Sequence, residues 1–306
     1  MVINAKFKED IFKNIIGKEE VKFQIKSALT MNRNIILIGP PGCGKTTFAK
    51  NIADSIDEKK FVRVQGSPDL TAEDLLGDID PMKALEFGPL SKEAFTPGKI
   101  FKADKGVLFF DEVNRCPQKI QNALLQVLQE KFATIGGFDV NFPADFVFIG
   151  TMNPEDSSTE KLSHVFLDRF DIIEVGYPDT LEDEVEIVRT YANKTEEVEF
   201  PSDLFQDLVQ FVRSLRENKN LVKFPSVRAT MGLYERAQSN AFLNNRQSVT
   251  SKDINDAIKS VIAHRIELKP SVKYLKKPED FVEEEYSKFA EMRGHQNDED
   301  DNSDCG

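Results

Sequence analysis

Gly39-Pro40-Pro41-Gly42-Cys43-Gly44-Lys45-Thr46 follows four apolar residues, Ile35-Ile36-Leu37-Ile38, and precedes an amphipathic stretch over 47–56. A strand, a glycine turn and a helix in that order suit the binding of a polyphosphate. Gly39, Gly42 and Gly44 let the backbone wrap phosphate oxygens with its N–H groups turned inward, because no Cβ stands in the way. Lys45 supplies a point charge for the β and γ phosphates, and the Thr46 hydroxyl is a ligand for Mg²⁺. Pro40, Pro41 and Cys43 contribute backbone, with the Cys43 side chain a small filler. Thr47 completes the set at the helix start, where the helix dipole adds partial positive charge.

A second chemical group stands at Val107-Leu108-Phe109-Phe110-Asp111-Glu112. Four apolar residues carry two carboxylates from the core to the solvent-facing end of a strand. Asp111 is placed to hold Mg²⁺ through water, since magnesium keeps part of its hydration shell. Glu112 is the candidate base that orients and deprotonates an attacking water. An Asp-Glu pair also ends many solvated strands, and it is the phosphate loop upstream that favours the catalytic reading. Another apolar run, 146–151, ends in Met152-Asn153-Pro154. Asn153 would then sit between the two earlier strand tips, its amide positioning water against the γ-phosphate, although Asn-Pro also makes an ordinary turn. Arg169, in Leu167-Asp168-Arg169-Phe170, precedes a last apolar run. Arg228, in Phe224-Pro225-Ser226-Val227-Arg228, opens a helix, where a cation opposes the macrodipole. That placement invites a phosphate partner; a surface ion pair is the alternative.

These residues need a scaffold that brings distant strand ends together. Near-continuous apolar runs at 35–38, 61–65, 107–110, 146–151 and 172–175 predict parallel strands buried on both faces. Helical segments lie between them, notably 118–130 with Ile120, Leu124, Leu125 and Leu128 on one side. The fold class is therefore α/β, a three-layer αβα plan around a parallel sheet, with ligands bound at the carboxyl ends of the strands. After Pro178 the strand pattern stops. Amphipathic helices are expected over 181–195, 204–215, 228–240 and 251–268, with start signals at Ser226 and at Thr250-Ser251 ahead of Asp253. The expected organisation is a nucleotide-binding core over 1–178, a small all-α domain over 179–270 and a C-terminal segment over 271–306. Residues 293–306 hold five Asp or Glu and almost nothing apolar, which predicts a disordered acidic tail.

With 306 residues, 40% hydrophobic content, 24 Phe and no Trp, the chain has room for two domains and an ordinary globular core. No stretch approaches the ~20 apolar residues that span a bilayer, and the first ten residues lack the apolar centre of a secretory signal. A cytoplasmic protein without a membrane segment is expected. Cys43, Cys116 and Cys305 are too far apart in sequence to suggest a zinc pattern or a disulfide framework. A net charge of −12 weighs against sequence-independent nucleic-acid binding, which needs a Lys/Arg surface.

In this order the residues resemble the AAA+ ATPases, P-loop NTPases with a helical lid, and within them the branch that groups MoxR-type ATPases with the ATPase subunit of magnesium chelatase. Residues 39–46 resemble the Walker A motif and 107–112 the Walker B motif; Asn153 matches sensor 1, Arg169 the arginine finger and Arg228 sensor 2. Ile15-Ile16-Gly17 is similar to the segment that packs against adenine, which puts Ile16 and Gly17 in the nucleotide site. Residues 75–98 fit the helix-two insertion of this branch, and 132–142, with Gly136-Gly137, its hairpin before sensor 1. Asp111-Glu112-Val113-Asn114-Arg115, Thr134-Ile135-Gly136-Gly137 and Ala263-His264-Arg265-Ile266 look MoxR-like. Phe95-Thr96-Pro97-Gly98 and Gly150-Thr151-Met152-Asn153-Pro154-Glu155 resemble the chelatase ATPase.

The resemblance implies ATP and Mg²⁺ as cofactors and ATP hydrolysis as the reaction. It implies a homo-oligomeric ring, commonly a hexamer, with ATP at subunit interfaces, and work on a partner bearing a von Willebrand factor A domain. The D-x-S-x-S pattern of such a domain does not occur in these 306 residues, so the partner is expected to be a separate chain. Chaperone-like remodelling of that partner leads. A motor subunit of a magnesium-chelatase-type complex and a nucleotide-gated scaffold with little hydrolysis remain as alternatives.

Overall fold

The computed structural model describes residues 10–55, 61–89, 91–134, 141–154 and 162–303. The chain divides into two compact units, Met1–Gly176 and Tyr177–Gly306.

In chain order the first unit contains α1 (Glu19–Thr30), β1 (Ile35–Ile38), α2 (Lys45–Ser55), β2 (Phe61–Gln65), α3 (Ala72–Leu76), β3 (Gly77–Ile79), α4 (Pro81–Phe87), β4 (Phe95–Pro97) and α5 (Lys99–Lys102). It continues with β5 (Val107–Asp111), α6 (Gln118–Glu130), β6 (Phe132–Thr134), β7 (Asn141–Pro143), β8 (Val147–Met152), α7 (His164–Leu167) and β9 (Asp171–Glu174). Five strands form one sheet in the order β2-β5-β8-β1-β9, and every pair in it is parallel. The continuous apolar runs resolve into two faces, because successive side chains point to opposite sides of a strand. Ile35, Leu37, Phe109 and Ile149 pack with Ile25, Phe48 and Ile52 of α1 and α2. Ile36, Leu108, Phe110 and Phe148 pack with Ile120, Leu124 and Phe166 of α6 and α7. Three layers result, as the sequence predicts.

Element ends move where hydrogen bonds, not apolarity, decide them. The expected strand 172–175 starts one residue earlier, because Asp171 pairs with Ile35 and its N–H donates to the Asn34 carbonyl. The strand expected over 146–151 is Val147–Met152. The helix expected from Thr47 begins at Lys45, since the Gly44 carbonyl already accepts the N–H groups of Thr47 and Phe48. Between β2 and β5 the insertion is an antiparallel pair, β3 with β4, carrying α4. Helix α4 buries none of its residues. Strands β6 and β7 pair antiparallel ahead of β8; Gly136-Gly137 lies outside the described residues.

The second unit holds α8 (Leu181–Tyr191), α9 (Ser202–Glu217), β10 (Leu221–Lys223), α10 (Val227–Leu243), α11 (Ser251–Ile262), β11 (Glu267–Leu268), α12 (Pro270–Lys273) and α13 (Pro278–Ser303). Several expectations are corrected here. The strand pattern does not stop: β10 and β11 pair antiparallel, which lets Leu221 and Leu268 both bury. For the same reason the helix expected to reach 268 ends at Ile262 and passes through a 3-10 turn, Ala263–Arg265. Helix α8 stops at Tyr191 instead of 195, where the chain turns extended and Asn193 N–H donates to Glu235 Oε1 at 2.8 Å. The segment after 270 is not separate either. Phe281, Val282 and Tyr286 are buried in the core of this unit, and α13 runs to Ser303 through the end expected to be disordered. Once its first turns are docked, each further residue adds a helical hydrogen bond without a new nucleation cost.

Two buried carboxylates organise this unit. Glu184 of α8 is fully buried and gripped by both terminal nitrogens of Arg216, each at 2.7 Å, with the Thr230 hydroxyl at 2.6 Å. Asp253 of α11 accepts from the N–H and hydroxyl of Thr250 at 2.9 and 2.8 Å and pairs with Arg246. Burial alone would raise the Asp253 carboxyl, but Arg246 and Thr250 outweigh it and hold it below the ordinary 3.8.

The depressed Asp253 value means that the unfolded chain takes up the proton first as pH falls. Its contribution is therefore full above the unfolded pKa and is lost as pH drops through the folded one. Asp253→Asn should cost about 3 kcal/mol at pH 7. In far-UV CD melts the gap between wild type and variant should narrow as pH falls below about 5 and keep closing below the ordinary Asp value of 3.8. A gap independent of pH would show that the charge is not what stabilises α11.

Candidate functional site

The sheet order puts β8 between β5 and β1, so the tips carrying Asp111-Glu112, Asn153 and the glycine loop are neighbours at one edge of the sheet. At the loop, Gly39 N–H donates to the Met152 carbonyl at 3.2 Å. A Cβ on Gly39 would stand 2.0 Å from the Val175 carbonyl oxygen, so only glycine fits. Gly42 and Gly44 have φ of 73° and 97°, the left-handed region that glycine adopts without strain. A Cβ on Gly44 would meet nothing within 4 Å, so the loop faces open space there. Lys45, the first residue of α2, turns its ammonium back onto the carbonyls of Gly39 and Pro40 at 2.6 and 2.7 Å. Burial pushes the Cys43 thiol up against the opposing pull of Lys45, so the side chain is a neutral filler.

The segment with Ile16 and Gly17 is seated against the same helix. Phe12 packs edge-on to Phe48 at 5.3 Å, and Asn14 N–H donates to Asn51 Oδ1 at 3.3 Å. Gly17 and Lys18, with φ of 64° and 62°, then turn the chain into α1.

On β5, Asp111 is nearly dry, at 8% exposure, and both its oxygens are engaged. Oδ1 accepts from the Thr151 hydroxyl at 2.6 Å and Oδ2 from Arg63 Nη2 at 2.8 Å. Thr151 also accepts the Glu112 N–H at 2.9 Å, so one hydroxyl on β8 fixes both acids of β5. Glu112 has φ 57° and ψ 52°, an uncommon conformation for a residue with a side chain. Its Oε2 accepts from Gln65 Nε2 at 2.8 Å and pairs with Arg115 at 3.1 Å. Asn114 Nδ2 donates to the Asn153 carbonyl at 3.0 Å and ties β5 to the tip of β8.

The two arginines are not brought to this edge by the first unit. Arg169 donates to Gln129 Oε1 at 2.9 Å and to the Val165 carbonyl. It precedes the amino end of β9, where Asp171 pairs with Ile35, three residues before the strand end that leads into the loop. At about 3.3 Å per residue that is roughly 10 Å back along the strands. Arg228 is exposed on the first turn of α10 in the second unit.

Residues 34–170 match the AAA domain of the dynein-related subfamily, and residues 222–285 match the AAA lid domain. The chain belongs to the AAA+ family. It is similar to Chaperone MoxR1 of Mycobacterium tuberculosis, 28% identical over 287 residues that cover 83% of this chain and 73% of that protein. A magnesium-chelatase subunit ChlI homolog of Methanocaldococcus jannaschii is 25% identical over 326 residues, covering 85% of this chain and 86% of the homolog. Among solved structures, RuvB of Thermotoga maritima shares the fold at a TM-score of 0.55 and 19% identity, covering 83% of this chain and 73% of that one. No helix among the described residues is long and apolar enough to cross a membrane.

In this AAA+ chain the donor set fits a nucleoside triphosphate with magnesium. The open loop at Gly44, the start of α2 and the Lys45 ammonium suit phosphate oxygens, while Thr46 and Asp111 carry hard oxygens that could hold magnesium. Among the described residues no group of three or more His, Cys, Asp or Glu forms a metal site by itself. An ion here would share its shell with phosphate and water, as magnesium does. Sequence reasoning gave no role to Thr151, Asn114, Gln65 or Arg63. The available signal was parity: Arg63 and Gln65 alternate along β2 with the apolar Val62 and Val64, and Thr151 is polar within an apolar strand.

The glycines of the loop make separable demands. Gly39→Ala, which drives a methyl group into the Val175 carbonyl, should cost about 3 kcal/mol or more. Gly44→Ala has space and pays only left-handed strain, about 1–2 kcal/mol. Urea unfolding of the two variants checks the order; equal losses would mean that the Gly39 crossing relaxes.

Proposed function

We propose that this chain hydrolyses ATP with Mg²⁺ and couples that reaction to remodelling a partner protein. The observation that carries the reading is the meeting, on adjacent strand tips, of the Gly39–Thr46 loop, the Asp111-Glu112 pair and Asn153. The loop N–H groups and Lys45 would hold the phosphates, with Thr47 at the helix start. Thr46 and Asp111 would hold magnesium, which supplies charge neutralisation across the β and γ oxygens. Glu112, reachable from solvent and turned outward by its backbone, would take the proton of the attacking water. Asn153, anchored by Asn114, would orient that water. Ile16 and Gly17 would flank the base.

Arg169 lies too far back along the sheet to serve its own loop, which supports a role toward the phosphates of a second copy in a hexameric ring. A guanidinium at developing phosphoryl charge accelerates transfer by orders of magnitude. Arg228 would act from the lid domain on the same phosphates. The name Chaperone MoxR1 borne by one relative favours remodelling. The partner would be a separate von Willebrand factor A protein, met in the cytoplasm. A chelatase-type motor subunit is the second reading, favoured by the ChlI homolog that spans 85% of this chain.

Glu112→Gln should keep ATP binding and lower phosphate release at least 100-fold. Near-wild-type hydrolysis by a contaminant-free variant would remove Glu112 as the base. Arg169→Ala should lose turnover about 1,000-fold and recover part of it when mixed with Glu112→Gln, because the two defects then fall on opposite sides of an interface. Intact assembly without recovery would assign Arg169 to structure alone.

A further inference from the structure

We propose that Arg63 is a built-in counter-ion that occupies the magnesium-facing oxygen of Asp111 and must be displaced when Mg²⁺ binds with nucleotide; this rests on the reading of Asp111 as the magnesium carboxylate. Arg63 lies on β2, the edge strand, opposite Phe109 in register, with its guanidinium 5.7 Å from the Phe109 ring. It donates to Asp111 Oδ2 at 2.8 Å. The other oxygen, Oδ1, is committed to Thr151, which is 1% exposed. Oδ2 is therefore the oxygen left for a metal-bound water, and it is the one that Arg63 holds.

The two partners differ in their contact with solvent. The Asp111 side chain is 11% exposed and that of Arg63 is 50% exposed. A carboxylate that dry is costly without a cation, whereas a half-exposed guanidinium moves into water at little cost. Arg63 thus neutralises Asp111 in the metal-free protein and can leave without stranding a buried charge of its own. Two cations on one carboxylate oxygen repel, so Arg63 and Mg²⁺ bind it with negative coupling. A purely structural Arg63–Asp111 pair would leave the magnesium dependence of nucleotide binding untouched.

The test uses the full chain and a fluorescent N-methylanthraniloyl ATP, with Kd measured in EDTA and in saturating MgCl₂. The ratio of the two constants isolates the magnesium contribution from any direct attraction of Arg63 for phosphate. For Arg63→Gln the ratio should rise roughly tenfold over wild type. Arg63→Lys, which keeps the charge but loses the planar fork, should raise it by a smaller factor and carries the test if Arg63→Gln fails to fold in CD melts. An unchanged or lower ratio in folded variants overturns the proposal while leaving the nucleotide site standing. Wild-type protein that binds the probe in neither condition overturns the nucleotide site itself, and the competition with it.

Discussion

Where β1 and β2 leave the sheet, the backbone passes so close to neighbouring strand ends that a methyl group has no place. Gly39 meets the Val175 carbonyl, and a Cβ on Gly66 would stand 2.1 Å from the carbonyl oxygen of Glu112. At each crossing an N–H completes the join, Gly39 to Met152 at 3.2 Å and Gly66 to Asp111 at 2.6 Å. These contacts extend the parallel ladder past the regular strands and hold the tips of β1, β2, β5 and β8 in one rigid edge. Side chains borne by four separate segments then keep fixed mutual distances without any direct bond between most of them. Preorganisation of that kind is what electrostatic catalysis requires, since donors that must reorganise during the reaction lose their advantage.

The same edge separates two carboxylates that are adjacent in sequence. Asp111 continues the strand, so its side chain stays on the sheet face beside Phe109 and is pinned by Thr151 and Arg63. Glu112 leaves the strand in the left-handed region, which re-aims its side chain toward Gln65 and Arg115. A non-glycine residue held there stores strain of order 1 kcal/mol or more, and the Thr151 bond to its N–H helps to maintain it. One acid is thereby dry and immobile, suited to an ion, and the other is partly solvated, suited to water. Both depend on a single hydroxyl in an apolar strand.

Much of the fold is legible because burial on both faces leaves a long apolar signature. β1, β2 and α6 fall where the sequence places them, and the loop glycines announce themselves by type. The unread parts lack such a signature. β10 and β11 are three and two residues long, too short for any period to show. Phe281, Val282 and Tyr286 dock α13 from either side of the acidic run Glu283-Glu284-Glu285, so charge hides the apolar stripe. Arg63 and Gln65 become meaningful only once β2 is known to pair with β5, a fact of topology that no local spacing contains. The candidate site residues were therefore visible by type and their restraints were not.

Strand polarity explains why Arg169 stands apart from the other candidate site residues. In a parallel sheet every strand presents its carboxyl end to the same edge, so a residue preceding a strand necessarily lies toward the other. Arg169 precedes β9 while the glycine loop follows β1, and the pairing of Asp171 with Ile35 fixes that separation. No side-chain rotation within the first unit brings the guanidinium across the length of a strand. Among the described residues its acceptors, the Gln129 amide oxygen and the Val165 carbonyl, are both neutral. A guanidinium paired with a carboxylate would have much of its field cancelled, whereas one resting on neutral dipoles keeps its charge available to a neighbouring polyphosphate. Geometry thus withholds Arg169 from its own loop, and its neutral partners leave it suited to a loop on another copy.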